Sequence, residues 1–274
     1  MFIRFYSGEY MMRILVAILL AAIWSSTSSA ACHQHDEFGI KDRVKGGQID
    51  RELCREGYAV GYNEYYKSPI WVAYKITKSS VEGGVGRTTK FKADMDLPEE
   101  SRATLWDYKY SGYDRGHMAP SATMDFNKNA RDESYYLSNM TPQIAGLNQQ
   151  GWKYLEAFFR DIAIEHKTAY VVTGAIFDGN NRTIGNGVHV PSHLYKVIYI
   201  PRTPGNEVMF GFLIPNENFN IKDLKKYQMP VKKIQNRAGL DFFHKLKNSL
   251  EKQLEKSRVD YCAIMDVKEP TACE

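Results

Sequence analysis

The chain has 274 residues, of which 43% are apolar and 25% charged, and its formal net charge is +4. This composition is that of an ordinary globular protein and excludes a disordered chain or a coiled coil. The length is sufficient for one large domain with a substantial core. The 18 tyrosines favour a sheet-rich structure, because aromatic residues are common in strands.

The N-terminal segment has the features of an export signal. Met12 and Arg13 precede an apolar run, 14–24, which is followed by small residues. The apolar run is too short to cross a bilayer, so a permanent membrane anchor is not expected. We therefore predict a signal peptide over residues 1–30.

Small residues after the apolar run include Ser28 and Ala30, which are placed as the cleavage pair of a signal peptidase. Lipidation of Cys32 is the alternative, but Ser29 stands where a lipidation signal requires leucine. The sequence thus predicts a single mature domain over residues 31–274 and a secreted or periplasmic protein.

All four cysteines lie beyond the predicted signal peptide, and an even number in an exported protein favours two disulfides. Of the three possible pairings, two local loops are the simplest, Cys32 with Cys54 and Cys262 with Cys273. A zinc site that contains Cys32, His33 and His35 is the alternative, but no second ligand pair has the usual spacing.

Five runs rich in aromatic and β-branched residues predict strands over residues 58–62, 70–77, 169–177, 193–200 and 208–214. Apolar residues spaced by three and four between Gln149 and about His166 predict an amphipathic helix whose core face contains Trp152, Leu155, Phe159 and Ile162. These elements indicate a mixed α+β fold in which helices flank a central antiparallel sheet.

Residues 222–258 contain 11 Lys and Arg against 4 Asp and Glu. The spacing of Leu240, Phe243, Leu246 and Leu250 predicts a helix in this segment. The excess of positive charge fits either a phosphate-attracting face or an ordinary solvated surface, and the sequence favours neither.

The most informative run extends from Tyr113 to Ala122 and contains Asp-Arg-Gly-His. His117 can accept a proton near neutral pH. Arg115 can bind a phosphate or carboxylate, and Gly116 permits close approach of the backbone to a ligand. The run therefore combines a base, a cation and a flexible turn.

Two further motifs follow in order, Ser-Asn-Met-Thr-Pro-Gln at 138–143 and Leu-Asn-Gln-Gln-Gly-Trp at 147–152, and then Glu156 and Arg160. Together with the Asp-Arg-Gly-His run, they resemble the DNA/RNA non-specific endonuclease family. That family includes secreted bacterial nucleases and mitochondrial endonuclease G. The resemblance is densest over residues 113–160 and implies a ββα-metal catalytic motif.

The resemblance implies an endonuclease that hydrolyses phosphodiester bonds in DNA and RNA with little sequence preference. Its cofactor would be Mg²⁺, with Mn²⁺ as a substitute. His117 would be the general base, oriented by a backbone carbonyl near Tyr135. Asn148 would be the sole direct protein ligand of the metal, and Glu156 would hold one of the metal-bound waters.

Three arginines complete the implied site. Arg160 resembles a helix arginine near the scissile phosphate, and Arg87 loosely matches an upstream arginine with a similar role. Arg115 is a candidate substrate contact, although it can also shape the turn. A rotation of about 100° per helical residue allows Asn148, Glu156 and Arg160 to border one cleft.

Two other functions fit the same residues. A catalytically inactive relative would bind nucleic acid without cleaving it. A metal-dependent phosphodiesterase for small substrates would need an enclosing pocket in place of a positive groove. The sequence indicates DNA and RNA as partners and no obligate protein partner.

Overall fold

A computed structural model describes residues 32, 35–86, 90–179, 181–265 and 273. The predicted signal peptide and its cleavage site lie outside these residues. No helix in the described part is long and apolar enough to cross a membrane.

The described strands are β1 Ile40–Asp42, β2 Arg51–Cys54, β3 Ala59–Asn63, β4 Ser68–Thr77, β5 Asp114–His117, β6 Met140–Gln143, β7 Thr168–Ile176, β8 Thr183–Ile184, β9 Val188–His189, β10 His193–Ile200, β11 Val208–Pro215, β12 Gln228–Met229 and β13 Leu240–Phe242. The α-helices are α1 Lys78–Glu82, α2 Leu105–Tyr108, α3 Lys128–Ser134, α4 Lys153–His166, α5 Leu224–Tyr227, α6 Val231–Ala238 and α7 Asn248–Leu254. Short 3₁₀ turns span Leu137–Asn139 and Ile221–Asp223, and a π-helical segment spans Leu147–Trp152.

Seven strands form one sheet in the order β12-β11-β10-β7-β4-β3-β2, and every neighbouring pair is antiparallel. The five predicted strands correspond to β3, β4, β7, β10 and β11, with ends that differ by no more than two residues. The prediction of an α+β fold with a central antiparallel sheet is confirmed.

Alternation along the strands separates two cores, because successive side chains point to opposite faces of a sheet. Val72 and Tyr74 of β4 pack in the core beneath α4. Trp71 and Ala73 pack on the opposite face, in the core covered by α6 and β13. The two faces are therefore covered by different parts of the chain.

The predicted amphipathic helix is present, but its first part differs in geometry. Residues 147–152 form π-helical turns, and regular α-helix begins only at Lys153. The predicted core face is buried, with no residue of the set more than 1% exposed: Trp152, Leu155, Phe159 and Ile162. The helix ends at His166, after which Lys167 has a φ of 68°.

The predicted helix around Leu240 is wrong. Residues 240–242 form β13, which pairs with β1, and helices lie on either side of it as α6 and α7. Leu240 and Phe242 alternate with Asp241, so both apolar side chains are buried against the sheet. Periodicity over a short apolar run did not distinguish a strand from a helix.

The basic segment divides between the two faces of the sheet. Helix α6 and β13 cover the face opposite to α4, whereas Ile221 and Leu224 pack in the α4 core. Several of its cations have acidic partners, including Lys232 with Glu255. Its cations are therefore distributed over both sides of the sheet and do not form one continuous face.

Two disulfides join the predicted pairs, Cys32 with Cys54 and Cys262 with Cys273, at Cα to Cα separations of 5.1 and 5.7 Å. No cysteine is free. Because Cys32 is oxidised, it has no thiolate for the alternative zinc site.

Strands β5 and β6 form a separate two-stranded ribbon in which Asp114 pairs with Gln143 and His117 with Met140. Gly116 is needed here for packing, because a Cβ at this position would overlap the fully buried side chain of Gln143. The space on the Cβ side of Gly116 is therefore filled by protein, so glycine is required at this position by packing within the ribbon.

We expect Gly116→Ala to lower the free energy of unfolding by about 1 to 3 kcal/mol, because Gln143 has no free volume into which it can move. Gly83→Ala is the matched control. A Cβ at Gly83 would lie at ordinary contact distances, 3.6 Å from Ser79 O, and the backbone φ is −83°. Urea denaturation measures both variants, and equal effects would contradict the packing argument.

Candidate active site

The catalytic motif is built from β5, β6 and the helix that follows them. His117 ends β5, and Asn148 lies in the first π-helical turn. The backbone N–H groups of Leu147 and Asn148 both donate to Ile144 O, at 3.0 and 2.9 Å. This turn connects the ribbon to the helix with no intervening loop.

Asn139 joins the two strands of the ribbon beyond His117. Its side-chain oxygen accepts from the Ala119 N–H at 2.9 Å, and its amide donates to Ala119 O at 2.9 Å and to Ser134 O at 2.8 Å. The side chain is fully buried, so these bonds satisfy its polar atoms. Asn139 fixes the backbone that carries His117.

Aromatic rings hold the imidazole of His117. The Tyr135 ring packs edge-on at a centroid distance of 5.0 Å, and the Phe91 ring lies at 5.5 Å. The Tyr135 carbonyl accepts from the Lys92 N–H, and the buried Nε2 atom of His117 has no hydrogen-bond partner among the described residues. The orientation predicted from a carbonyl is thus achieved by ring packing.

Burial and the nearby positive charge of Arg115 lower the pKa of His117 to about 4. The Arg115 guanidinium lies 4.2 Å from the centre of the Phe91 ring, so Phe91 contacts both residues. His117 is consequently neutral at physiological pH. A neutral imidazole has a free lone pair with which to accept a proton.

Asp114 orients the side chain of Asn148. The Asn148 amide donates to Asp114 Oδ2 at 2.9 Å, and Gln149 Nε2 donates to the same oxygen at 2.8 Å. The amide nitrogen of Asn148 is therefore occupied, which directs its carbonyl oxygen away from Asp114. Within the described residues, no donor contacts that oxygen.

Glu156 lies one turn into α4, beside a lysine buried in the sheet. Lys196 on β10 is 0% exposed, and its ammonium group donates to the Tyr74 hydroxyl at 3.2 Å and lies 4.6 Å from the Trp152 ring centre. Burial raises the pKa of Glu156 to about 7, while the positive charges of Lys196 and Arg160 oppose this rise. Burial lowers the pKa of Lys196 to about 8.

Arg160 lies one further turn along α4, and its guanidinium is 3.5 Å from the Thr123 hydroxyl. Its positive charge also acts on the Glu156 carboxyl, so these two side chains of α4 lie near each other. The helical rotation used to predict a shared cleft does not hold between Asn148 and Trp152, because this stretch is π-helical. Arg87 lies outside the described residues.

No cluster of three His, Cys, Asp or Glu side chains in the described part could hold a metal ion. The residues nevertheless fit a cation with one protein ligand and several waters. Asn148 offers a carbonyl oxygen, and the buried Glu156 Oε1 has no hydrogen-bond partner among the residues that the structure describes. A neutral ligand beside an unsatisfied carboxylate oxygen suits a hydrated divalent ion.

Two contributions were missed by sequence reasoning. The sequence analysis gives no role in the site to Asp114 or to Lys196. A signal for Lys196 was available, because it lies between Leu194 and Ile198 at the inward positions of β10. A lysine in an inward position is rarely fully buried unless it has a partner.

Two antiparallel strands, the first of which ends at His117, are followed by a helix that begins with Asn148 in its first turn, and this is the arrangement of a ββα-metal nuclease. The model of the DNA/RNA non-specific endonuclease family matches residues 39–249. The chain belongs to this family and is accordingly a nucleic acid hydrolase.

Similar proteins include Nuclease C1 of Cunninghamella echinulata var. echinulata, which is 36% identical over 209 residues, 71% of this chain and 83% of that protein. The mitochondrial nuclease of Saccharomyces cerevisiae is 34% identical over 232 residues, 77% of this chain and 70% of that protein. Among solved structures, a chain of an EndoG/EndoGI complex aligns with a TM-score of 0.70 and 29% identity, covering 78% of this chain and 92% of that one.

The prediction of a secreted or periplasmic location is wrong. Relatives from budding yeast, fission yeast and human are mitochondrial nucleases by name. The prediction depended on the residues around the 14–24 run. Mitochondrial targeting segments also contain Arg and Ser and few acidic residues, so composition did not separate the two kinds of N-terminal segment.

We expect Lys196→Met to shift the pH dependence of cleavage. Removal of the buried positive charge raises the pKa of Glu156 above about 7, so its carboxylate forms only at higher pH. Cleavage should fall most strongly below pH 8 and recover toward the wild-type rate as the pH rises. Plasmid nicking rates across a pH series measure this shift.

Lys75→Met is the matched control, because Lys75 lies on β4 with its ammonium group over the Tyr170 ring on the other face of the sheet. Its profile should coincide with that of the wild type. An equal loss of activity by Lys196→Met at every pH would assign Lys196 to folding alone.

Proposed function

We propose that the protein is a Mg²⁺-dependent endonuclease that cleaves both DNA and RNA with little sequence preference. His117 acts as the general base, and Asn148 is the direct protein ligand of the metal. The observation that carries this proposal is the pairing of a neutral, unbonded imidazole with an asparagine whose carbonyl is left free by Asp114.

Phosphodiester hydrolysis requires removal of a proton from the attacking water. His117 is suited to this step because its Nε2 atom has no partner among the described residues and its pKa is low. The water oxygen forms the new bond to phosphorus, its proton passes to His117, and the bond from phosphorus to the departing ester oxygen breaks. Tyr135 and Phe91 limit rotation of the imidazole during this step.

Asn148 would hold the ion through its carbonyl oxygen, and Glu156 would accept a hydrogen bond from one of the waters around it. Bound Mg²⁺ would neutralise charge on the phosphate and on the departing oxygen. Magnesium suits this donor set because it releases its waters reluctantly and favours oxygen ligands. Membership of a metal-dependent family supports the choice of a divalent ion.

The arginines would supply charge to the substrate. Arg160 is placed beside Glu156 on α4 and would bind the scissile phosphate, where it stabilises developing negative charge. Arg115 would contact the nucleic acid strand near His117. Arg87 would also bind near the scissile phosphate, as its position in the sequence implies. Their number favours a substrate with several phosphates.

The surroundings of the motif support a polymer in place of a small phosphodiester. Tyr113 lines two open clefts, of about 640 and 460 Å³, and Asp114 and Arg115 also line the smaller one. A polymer can continue through open clefts beyond the cleaved bond, whereas a small substrate requires an enclosed site. Contacts to phosphates carry no sequence information, which is consistent with low sequence preference.

Closed circular plasmid and a structured RNA test the activity. We expect Mg²⁺ to support nicking of the plasmid and fragmentation of the RNA, and EDTA to abolish both, because the reaction needs the ion and no free end. Gel electrophoresis resolves the products. An intact plasmid alongside trimmed linear DNA would contradict endonuclease activity.

Two alanine variants separate the proposed roles. His117→Ala should lower cleavage by about 10² to 10⁴-fold and leave metal affinity nearly unchanged, because it removes only the base. Asn148→Ala should reduce both, because the ion loses its direct protein ligand. Mn²⁺ titration followed by electron paramagnetic resonance measures affinity, and plasmid nicking measures activity.

Asn236→Ala is the matched control, since Asn236 is exposed on α6, on the opposite side of the sheet. It should behave as wild type in both measurements, and circular dichroism should show that all three variants fold. Near-normal cleavage by His117→Ala excludes the general-base role, and unchanged metal affinity in Asn148→Ala places the ion elsewhere.

A further inference from the structure

We propose that residues 105–110 form a stacking platform for unpaired bases, which binds a single strand of nucleic acid as it leaves the catalytic motif. The proposal deepens the proposed function and rests on it. We call the exposed side chains Leu105, Trp106, Lys109 and Tyr110 the aromatic platform.

The platform is a local concentration of exposed apolar surface. Trp106 is 74% exposed, Tyr110 94% and Leu105 45%. These are three of the eight large apolar side chains that are exposed in the described part of the chain, and they lie within six consecutive residues. Clustered exposed aromatic residues indicate a binding surface, because isolated ones are ordinary but contiguous patches are not.

The backbone beneath the platform is firmly anchored. The buried Asp107 carboxylate accepts from the Thr104 N–H and from the Asn186 N–H, each at 2.6 Å. The Tyr108 side chain is buried in a core with Met140 of β6, and Ser111 donates to Tyr108 O at 2.9 Å. The exposed rings therefore belong to a fixed segment.

Tyr110 has a backbone φ of 59°, in the left-handed region that bulky residues rarely adopt. Its ring is 94% exposed, and among the described residues its recorded ring contact is with the Lys109 ammonium group. Strain of this kind persists where the exposed geometry has a use.

A cation lies among the rings. Lys109 Nζ is 4.2 Å from the centre of the Trp106 ring and 5.1 Å from that of Tyr110. An aromatic ring that stacks on a base, with a lysine beside it for the adjoining phosphate, is the combination that binds single-stranded nucleic acids. An apolar protein partner would instead have to desolvate this ammonium group.

The platform is continuous with the catalytic motif. Its members Leu105, Trp106 and Lys109 line the same cleft, of about 460 Å³, as Tyr113, Asp114 and Arg115. Asp114 is bonded to Asn148, the proposed metal ligand, at 2.9 Å. A strand bound at the scissile phosphate therefore has a direct path, past Arg115, onto the rings.

Only unpaired bases present a free face for stacking, since the faces of bases in a duplex are covered by their neighbours. Stacking also tolerates any base, which agrees with cleavage of low sequence preference. The platform would thus favour single-stranded substrates and RNA loops over intact duplex.

Fluorescence tests this inference, because Trp106 is exposed while Trp71 and Trp152 are buried. In the His117→Ala background, without metal, a thymidine oligomer should quench tryptophan emission saturably. Trp106→Ala in the same background should abolish the quenching and weaken binding by on the order of 10-fold. Trp106→Phe should restore affinity, and Tyr65→Ala, at a ring 72% exposed elsewhere, should leave it unchanged.

An abasic oligomer of the same length distinguishes stacking from charge. This oligomer should bind with equal affinity to the His117→Ala protein and to the same protein with Trp106→Ala added, because it has phosphates but no bases. In the active protein, Trp106→Ala should raise KM for the thymidine oligomer by a similar factor while kcat stays at the wild-type value.

Three results would overturn the platform: no quenching, an equal loss of affinity for the abasic oligomer, or a dimer seen by light scattering that Trp106→Ala dissociates. The last would assign the rings to a second copy of the chain. If the oligomer-binding test is negative but the wild-type protein nicks plasmid normally, the proposed function is unaffected. If the wild-type protein does not nick plasmid, the oligomer-binding test can still be interpreted.

Discussion

Burial of one face of α4 against the central sheet is the constraint on which the site depends. Trp152, Leu155 and Phe159 are buried with almost no exposed surface, so the helix has one allowed rotation about its axis. Glu156 and Arg160 then lie at the edge of that buried face, and Asn148 lies at its start. The hydrophobic effect, acting on residues with no chemical role, thereby sets the positions of residues that have one.

The same packing also buries two ionisable side chains, and this burial destabilises their charged forms. Glu156 and Lys196 lie where charge is poorly solvated, and burial moves the pKa of each toward its neutral form. Each charge partly stabilises the other across the core between α4 and β10. An apolar pair would stabilise this core more, but it would remove the carboxylate from the site, an exchange of stability for function that is common in enzymes.

Much of the fold and site could be predicted from the sequence because the signals were local. Alternation in β10 and three-four spacing in α4 gave elements whose residues are buried as expected. The ordered motifs placed His117 and Asn148 on one ribbon and the helix after it. The predicted strands also indicated the central sheet, because the side chains of each strand point alternately into the two cores on opposite faces of the sheet.

The remaining features depend on contacts between distant parts of the chain. The need for Gly116 arises from Gln143, and the π-helical turns at 147–152 have no distinct sequence pattern. Lys196 acquires its importance only when β10 packs beneath α4. Cellular location is set by other machinery that recognises targeting segments, and the physics of a folded domain does not determine it.

The topology also has a consequence for the order of folding. Strands β4 and β7 are neighbours at the centre of the sheet, yet the whole ββα motif lies in the connection between them, residues 78–167. Loop closure on this scale is slow compared with formation of a hairpin. During synthesis, the ribbon and helix emerge before β7 is available to close the sheet over them. The nascent chain therefore contains every residue of the motif before the sheet that positions them has formed. Nuclease activity consequently arises only after most of the domain has been synthesised.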